Sequence, residues 1–398
     1  MKVCFFEPGF YPEYGGQAIY LREHLIPALR ERGVECWAMA LERADRPALD
    51  EYNGIKIVRI PRPPAYLPTK YLRYAYAMIQ LRKYILKYRN DFDIFYFADG
   101  GGTSPLAVKA LSKLGVPILL ESTLIGKDDA LTYKKRQFGN WILSHIRMVD
   151  HIICISSAIK DIYLAEGFEK KQALHVPYGL SFSKYEAASI LEREALLKSL
   201  HIDGAGPVVV FVGGINRRKN IHVMIDAFAK VVQSFPGAKL MLVGPDDKLS
   251  YGDYPKRIRE QIKGLSLDGH VMFTGMVNNV QDYLKVADLY ISTSEAEGLG
   301  LGVIEAQACR TACVVADIPV TPDLVPNDDY GRVASVGDVD GFAQAMNELL
   351  SNDHLRTQIA EKSYQRVREV YNLDKRADRM NSLFKGLLPK SRSTNASV

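Results

Sequence analysis

The sequence lacks any apolar run that approaches the roughly 20 residues of a membrane-spanning helix. Residues 1–7 have neither the apolar core nor the small-residue cleavage site of a secretory signal, and we expect a strand there. The five cysteines have no paired spacing and no clustered histidine, which argues against a disulfide framework and a zinc site. With 47% hydrophobic and 24% charged residues, the composition is ordinary for a soluble globular enzyme. From the odd number of cysteines without paired spacing we expect a reducing, cytoplasmic compartment. The net charge of +5 is too small to indicate a nucleic-acid partner.

Acidic side chains are absent from residues 61–90, which contain seven Lys or Arg and six Tyr. A basic helix with interfacial aromatic side chains binds anionic lipid surfaces. We therefore expect a peripheral contact between this segment and the inner face of a membrane. A solvated helix face over an ordinary core stripe explains the same composition. Sedimentation with anionic vesicles distinguishes these two interpretations.

Strand and helix patterns alternate along both halves of the chain, which predicts parallel sheets flanked by helices. A length of 398 residues accommodates two domains of this kind. A charged helix followed by a Gly-containing polar stretch indicates an interdomain linker. The predicted segments are a first domain over 1–185, a linker over 186–206, a second domain over 207–373, a last helix over 374–388 and a disordered tail over 389–398.

The most informative stretch is residues 294–305, in which three alternating glycines separate an apolar strand from a helix. A glycine-rich turn frees backbone N–H groups beside the positive end of the helix dipole, so that an anion such as a diphosphate fits there. Glu297 before the turn and Glu305 in the predicted first helical turn bracket it, and carboxylates suit sugar or ribose hydroxyls. Taken alone, the turn also fits an ordinary strand–turn–helix with a solvated Glu and a helix-start Glu.

The eight-residue separation of Glu297 and Glu305 around Gly-Leu-Gly-Leu resembles the Glu-x7-Glu motif of glycosyltransferase family 4, and residues 288–306 are similar to that family throughout. This resemblance implies an α/β protein of GT-B fold. Two Rossmann-like, doubly wound domains would face each other across a cleft, with the C-terminal helix crossing back to the N-terminal domain. The first domain would bind the acceptor and the second the nucleotide-sugar.

The same resemblance implies the reaction. The expected enzyme is a retaining hexosyltransferase that moves a hexose-type sugar from a UDP- or GDP-linked donor to a glycan or lipid-linked acceptor, as in cell-surface polysaccharide or glycolipid assembly. The nucleoside-diphosphate sugar is a co-substrate, and no cofactor is expected. No carboxylates with metal-ligand spacing are visible in the sequence, so we expect side-chain cations in place of Mg²⁺ and a metal-independent reaction.

Residues that follow the first strand of the second domain resemble the family loop that holds the leaving pyrophosphate with an Arg and a Lys. Lys219 matches that Lys by spacing, whereas Gly214 stands where the Arg is common, and Arg218 is the proposed substitute. Surface charges before a helix are the ordinary alternative for such a pair. The catalytic candidates are Glu297, Lys219 and Arg218. The donor and nucleotide candidates are Gly15, Gly16, Gly213, Gly214, Gly298, Leu299, Gly300, Leu301, Glu305 and Val277.

Two groups of these candidates come from other loops. The loop at Gly15 and Gly16 corresponds to the one that closes over the donor phosphates in the family, where glycine permits unusual backbone angles and close approach. Val277 belongs to a stretch that resembles the border of the nucleoside base.

A departure from the family occurs after a strand of the first domain. The family often carries a His there that contacts the donor sugar or the reacting centre, and residues 121–123 of this sequence contain none. Thr123, Asp128 and Asp129 are therefore candidates for an acceptor or sugar contact, and helix capping is the alternative for the two aspartates. Asp99, in a glycine-rich loop after another strand, is a further sugar candidate.

Two other functions fit the same residues. One is a GT-B sugar-nucleotide epimerase, which would convert a UDP-sugar in the absence of an acceptor. The other is a non-catalytic nucleotide-sugar-binding subunit.

Overall fold

The computed structural model describes residues 1–12, 15–98, 105–202 and 206–388. The chain divides into two compact units, Met1–Gly179 with Leu373–Val398 and Leu180–Asn372. Most of the predicted linker over 186–206 lies in the second unit, where Ser189 and Glu192 form a capping box at the start of a helix. Residues 203–205 of that linker and the predicted disordered tail over 389–398 lie outside the described residues.

The first unit contains an eight-stranded sheet within the described residues. Its strands are β1 (Lys2–Phe6), β2 (Glu35–Leu41), β3 (Leu49–Tyr52), β4 (Ile55–Ile60), β5 (Ile94–Phe97), β6 (Ile118–Ser122), β7 (His151–Cys154) and β8 (Ala173–His175). They lie in the order β3-β4-β2-β1-β5-β6-β7-β8. Every residue of β5 and β6 is buried, as expected for strands that helices cover on both faces.

The helices of the first unit follow the predicted alternation. They are α1 (Gly16–Tyr20), a π-helical turn (Leu21–Leu25), α2 (Ile26–Glu31), α3 (Lys70–Tyr88), α4 (Pro105–Lys113), α5 (Ala130–Lys135), α6 (Gly139–Ile146) and α7 (Ser157–Ala165). The basic segment forms α3, and the side chain of Thr69 caps its first turn. None of the described helices is long and apolar enough to cross a membrane.

One strand of this sheet departs from the predicted parallel arrangement. The edge strand β3 pairs antiparallel with β4, whereas the other neighbours are parallel. Its sequence, Leu-Asp-Glu-Tyr, is short and half exposed, and it carries no apolar run that would have predicted a strand.

The second unit is built around a six-stranded parallel sheet within the described residues. Its strands are β9 (Val208–Val212), β10 (Lys239–Val243), β11 (Val271–Gly275), β12 (Leu289–Ser292), β13 (Ala312–Ala316) and β14 (Arg332–Ala334). They lie in the order β11-β10-β9-β12-β13-β14.

The helices of this unit include two short 3-10 turns, at Phe182–Lys184 and Arg217–Lys219. The α-helices are α8 (Ile190–Ser199), α9 (Ile221–Ser234), α10 (Lys248–Tyr251), α11 (Tyr254–Gly264), α12 (Val280–Val286), α13 (Leu301–Ala308), α14 (Thr321–Leu324), α15 (Val339–Ser351) and α16 (Asp353–Val370).

The last helix, α17 (Leu373–Leu387), returns to the first unit, as the resemblance implied. Met380 and Phe384 are buried there, and Arg32 at the end of α2 pairs with Asp374 and Asp378 at 3.1 and 2.6 Å. The first unit is therefore formed from two segments of the chain, one before and one after the second unit.

Strand order determines where ligands can bind in such sheets. The order changes direction between β1 and β5 in the first unit and between β9 and β12 in the second. Open parallel sheets bind ligands outside the carboxyl ends of the strands at this kind of switch point. In the second unit these ends lead into Gly213 and into Thr293, so the predicted donor residues begin at the switch point.

Candidate functional site

Hydrogen bonds join the loops that follow β9 and β12. The hydroxyl of Thr293 donates to the backbone carbonyls of Lys219 and Asn220 at 2.9 and 3.0 Å, and the backbone N–H of Glu295 donates to the carbonyl of Arg218 at 2.9 Å. The side chain of Asn216 accepts from the backbone N–H of Lys219 at 3.3 Å and caps the short turn. The two loops therefore form one framework at the carboxyl edge of the sheet.

This framework brings together the three residues predicted as catalytic. Lys219 Nζ donates to Glu297 Oε1, and Arg218 donates from one guanidinium nitrogen to Glu297 Oε2 at 2.9 Å. The same Arg218 nitrogen donates to the backbone carbonyl of Ala296. The side chains of Lys219 and Glu297 are 15% and 12% exposed, and that of Arg218 is 37% exposed, so the cluster is enclosed on its Lys219 side and reaches solvent at Arg218.

The carboxyl of Glu297 is ionised at neutral pH. Burial by itself raises its pKa, but the charges of Lys219 and Arg218 outweigh burial and lower the pKa to about 2. Two cations and one carboxylate leave one net positive charge on these three side chains, which is suited to an anionic ligand.

The glycine-rich turn has a specific backbone requirement at two positions. Gly300 has a φ of +84°, in the left-handed region that side chains rarely adopt. A Cβ at Gly302 would lie 2.4 Å from the hydroxyl of Tyr290 in β12, so α13 can pass this strand only with glycine there. The prediction that Glu305 lies in the first helical turn was wrong: α13 begins at Leu301, directly after Gly300, and Glu305 is its fifth residue and lies in the second turn.

Glu305 has a different electrostatic environment from Glu297. Burial raises its pKa to about 7, and a hydrogen bond from the Tyr185 hydroxyl at 2.9 Å acts in the opposite direction. This carboxyl therefore titrates near neutral pH. Nothing in the sequence pattern pointed to Tyr185, which stands 120 positions before Glu305.

The remaining donor candidates occupy the same edge of the second sheet. Gly213 and Gly214 directly follow β9, and Val277 follows β11. Gly298 and Leu299 are buried in the turn, whereas Gly300 and Leu301 are partly accessible at the start of α13. Their contacts with a ligand stay predictions.

In the first unit, Gly15 and Gly16 are exposed at the start of α1. Gly15 has an ordinary extended conformation, and a Cβ at Gly16 would meet no atom within 4 Å. Glycine was expected here either for unusual backbone angles or for close approach of a ligand. The backbone angles are ordinary, so close approach of a ligand is the explanation that stays a prediction.

A buried ion pair next to this turn was missed by the sequence reasoning. Glu121, in the region where a family His was expected and is absent, is fully buried and pairs with Arg376 of α17. Arg376 also lies 5.3 and 4.8 Å from the ring centroids of Tyr20 and Tyr178. The side chain of Gln17 in α1 approaches Glu121 at 3.4 Å, so this network links the glycine turn to the last helix.

Thr123, Asp128 and Asp129 lie together after β6. Asp128 is 1% exposed and accepts hydrogen bonds from the backbone N–H groups of Thr123 and Leu124 at 2.9 and 2.7 Å, and from the Thr123 hydroxyl at 2.8 Å. Asp129 caps α5 by accepting from the N–H of Thr132 at 2.8 Å. Both carboxylates thus have a structural use, which agrees with the helix-capping alternative for Asp129. Asp99 lies outside the described residues.

Across the described ranges, no group of three or more His, Cys, Asp or Glu side chains could hold a metal ion. The cluster of Glu297, Lys219 and Arg218 contains one carboxylate and two cations.

Comparison with known proteins gives matches to both units. Residues 14–182 match the family model described as Glycosyltransferase Family 4, and residues 192–366 match the one described as Glycosyl transferases group 1. N-acetyl-alpha-D-glucosaminyl L-malate synthase of Bacillus anthracis is 24% identical over 75% of this chain and 76% of its own length. Alpha-monoglucosyldiacylglycerol synthase of Streptococcus pneumoniae is 24% identical over 84% of this chain and 75% of its own length.

A solved structure supports the same architecture. Anabaena HepE in complex with UDP has a TM-score of 0.79 at 19% identity, with 97% of this chain and 100% of that chain covered. Taken with the two family models, these matches lead to one conclusion: the chain belongs to glycosyltransferase family 4 and has the GT-B fold.

Proposed function

We propose that this glycosyltransferase moves a hexose-type sugar from a UDP- or GDP-linked donor to a glycan or lipid-linked acceptor, with retention of anomeric configuration and without a metal. The observation that carries the proposal is the contact of Glu297 with Lys219 and Arg218 at the switch point of the second sheet. The HepE structure, which contains UDP, favours a nucleotide-sugar donor. The similarity to alpha-monoglucosyldiacylglycerol synthase favours a lipid-linked acceptor.

The two cations suit a departing diphosphate. Transfer requires stabilisation of the negative charge that develops on the leaving group, and fixed cations do this without reorganisation. Lys219 supplies a compact charge, and Arg218 supplies a planar fork that can bind two oxygens. The N-terminal end of α13, which begins four residues after Glu297, would add the positive end of a helix dipole. Side-chain cations would thus perform the neutralisation that Mg²⁺ performs in other phosphate sites.

Glu297 has a role that depends on the ligand. Before a donor binds, its carboxylate occupies both cations. A diphosphate would compete for these cations and free the oxygens of Glu297 to accept hydrogen bonds from the donor sugar hydroxyls. In the protein without donor the pKa of Glu297 is about 2, so the carboxylate is ionised when the donor arrives and can only accept hydrogen bonds.

Glu305 would accept hydrogen bonds from the ribose hydroxyls of the donor. Retention follows from the family resemblance: the acceptor attacks from the same face as the leaving group, with a phosphate oxygen as the base. The anomeric carbon of the donor sugar would acquire oxocarbenium character as its bond to the diphosphate oxygen breaks and its bond to the acceptor oxygen forms.

Thermal-shift measurements with UDP, GDP, ADP and their sugars test donor binding, because a ligand held only by the folded state raises the melting temperature. We expect one nucleoside diphosphate to stabilise the protein, and Arg218→Ala to reduce this stabilisation. Arg217→Ala is the matched control. Arg217 is exposed, and its replacement removes the same charge from the neighbouring position of the turn. Equal effects of the two variants would contradict the proposed site.

Product analysis separates the reaction from its two alternatives. With an acceptor extract, NMR of the product should show the anomeric configuration of the donor, and EDTA should not change the rate. An epimerase would convert the UDP-sugar without acceptor. A non-catalytic subunit would bind the nucleotide and give neither product.

We also propose that the first unit contacts an anionic membrane surface. The acid-free helix α3 exposes Tyr71 and Ile79 at 55% and 57%. Phe138 is 71% exposed and follows the basic run Lys-Lys-Arg at residues 134–136. Exposed aromatic and aliphatic side chains among cations fit the boundary between lipid headgroups and acyl chains.

Vesicle sedimentation tests this contact. We expect binding to vesicles that contain phosphatidylglycerol, no binding to phosphatidylcholine alone, and loss of binding as salt is raised. Phe138→Ser and Ile79→Ser should weaken binding, and Leu265→Ser, which removes an exposed apolar side chain from the second unit, should not. Binding that is equal for both lipids would contradict the electrostatic basis of the proposal.

A further inference from the structure

The side chain of Tyr251, at the end of α10, lies directly against the glycine turn that follows β9. A Cβ at Gly214 would be 2.2 Å from the Tyr251 hydroxyl and 2.6 Å from Cζ. No real carbon atom tolerates these distances, and the ring and the backbone on either side would have to move. Gly214 and Tyr251 are therefore a matched pair, in which the absence of a side chain at one position gives room for the phenol of the other.

The phenol borders the ion cluster of the second unit. A Cβ at Gly213 would lie 3.4 Å from Cε of Lys219, so the glycine turn rests against the lysine that holds Glu297. The charge of Arg218 also acts on the Tyr251 hydroxyl, because it works to lower the pKa of this group. Tyr251 thus lies within the electrostatic reach of Arg218 and against the glycine turn that borders Lys219, although no sequence motif indicated it.

Within the residues that the structure describes, the Tyr251 hydroxyl is available as a hydrogen-bond donor. Burial and the carboxylate of Asp247 raise the pKa of Tyr251, so the phenol keeps its proton at neutral pH. In the part of the chain that the structure describes, no group accepts a hydrogen bond from it. A neutral O–H next to Lys219 and Arg218 adds a directed donor to two charged ones, and diphosphate oxygens are acceptors for all three.

We propose that Tyr251 is a binding residue of the nucleotide site, and that its hydroxyl donates a hydrogen bond to the diphosphate of the donor across the turn at Gly214. This inference rests on the proposed function, since it requires a diphosphate at the Lys219–Arg218 cluster. It adds a contact that the glycine at position 214 makes geometrically accessible.

The test compares Tyr251→Phe with the parent protein by calorimetry, using whichever of UDP, GDP and ADP gives the largest thermal shift. We expect about tenfold weaker binding, the size of a lost hydrogen bond to a charged group, and an unchanged melting temperature without ligand. Tyr330→Phe is the control, because Tyr330 precedes β14 and lies at the amino edge of the sheet. Equal affinity of Tyr251→Phe and the parent protein would overturn the inference.

A double-mutant cycle tests the matched pair independently. Gly214→Ala should displace the ring and weaken nucleotide binding about as much as Tyr251→Phe does. In a Tyr251→Ala background the space is free, so Gly214→Ala should have no further effect. An equal effect of Gly214→Ala in both backgrounds would overturn the pairing. If the parent protein binds none of the three nucleotides, the proposed function and this inference both fall; if it binds one and Tyr251→Phe binds equally well, only this inference does.

Discussion

Replacement of Glu297 by Gln should separate stability from ligand binding in the second unit. The folded protein lowers the pKa of Glu297 from 4.5 to about 2. One pKa unit corresponds to about 1.4 kcal/mol, so the ionised carboxylate stabilises the fold by about 3 kcal/mol at pH 7. Gln has nearly the same shape without the charge, and Glu297→Gln should therefore cost about 3 kcal/mol of unfolding free energy.

The pH dependence of this loss has a defined sign. A lowered carboxyl pKa contributes stability that is fully present above the unfolded value of 4.5 and is lost as the pH falls towards 2. The difference between the parent protein and Glu297→Gln should therefore disappear over that interval.

Urea unfolding followed by far-ultraviolet circular dichroism measures the loss of secondary structure in both units. Trp37 and Trp141, the two tryptophans of the sequence, both lie in the first unit, so their fluorescence reports that unit separately. Glu295→Gln is the matched control, because Glu295 is exposed two positions away and should change stability by less than about 1 kcal/mol. Equal losses for the two variants would refute the assignment of the cluster.

Ligand binding should respond in the opposite direction. Glu297→Gln leaves Lys219 and Arg218 without their carboxylate, so a nucleoside diphosphate should bind at least as tightly as to the parent protein. Sugar transfer should nevertheless fall strongly, because the donor hydroxyls then face a neutral amide oxygen and an NH2 donor instead of a charged carboxylate. A variant that loses nucleotide binding together with transfer would contradict this separation of roles.

Three further predictions follow from single contacts. Lys219→Ala should weaken binding of the nucleoside diphosphate by about 10- to 100-fold in calorimetry, since it removes a charged donor from a half-enclosed site; an unchanged affinity would be inconsistent with the site. Tyr185→Phe removes the hydrogen bond that lowers the pKa of Glu305, so this pKa should rise above the parent value of about 7. The pH below which nucleotide affinity declines should rise with it; a pH profile that does not move would disprove this coupling. Arg376→Met leaves the buried carboxylate of Glu121 unpaired and should cost about 3–5 kcal/mol in the tryptophan-detected transition; a loss below about 1 kcal/mol would show that the pair is not buried as described.

The sequence predicted those parts of the structure that depend on local patterns. The apolar run before Thr293 and the glycines after it predict a strand, a turn and a helix, and the structure has β12, the turn and α13 in that order. The alternation of strands and helices predicts two parallel sheets, because each parallel connection requires a crossover helix. The edge strand β3 was missed because its four residues form neither an apolar run nor a clean alternation.

Contacts between distant residues were not predictable in the same way. Glu297 and Lys219 were both recognised as candidates, but their direct contact joins positions 78 apart and depends on the hydrogen bonds that link two loops. Tyr185 and Tyr251 have no distinguishing sequence context, and only the packed structure places them beside Glu305 and Gly214. The helix start at Leu301 was also missed, because a glycine-rich sequence does not define it to the residue.

The central claim is that a diphosphate binds at the Lys219–Arg218–Glu297 cluster of the second unit. A crystal structure of the full chain with the nucleoside diphosphate that stabilises it best tests this claim most directly. The account predicts phosphate oxygens within hydrogen-bond distance of Lys219 Nζ and of the Arg218 guanidinium, with the Glu297 carboxylate released from at least one of them. Nucleotide density at another place in the molecule, with the three side chains still in mutual contact, would contradict it.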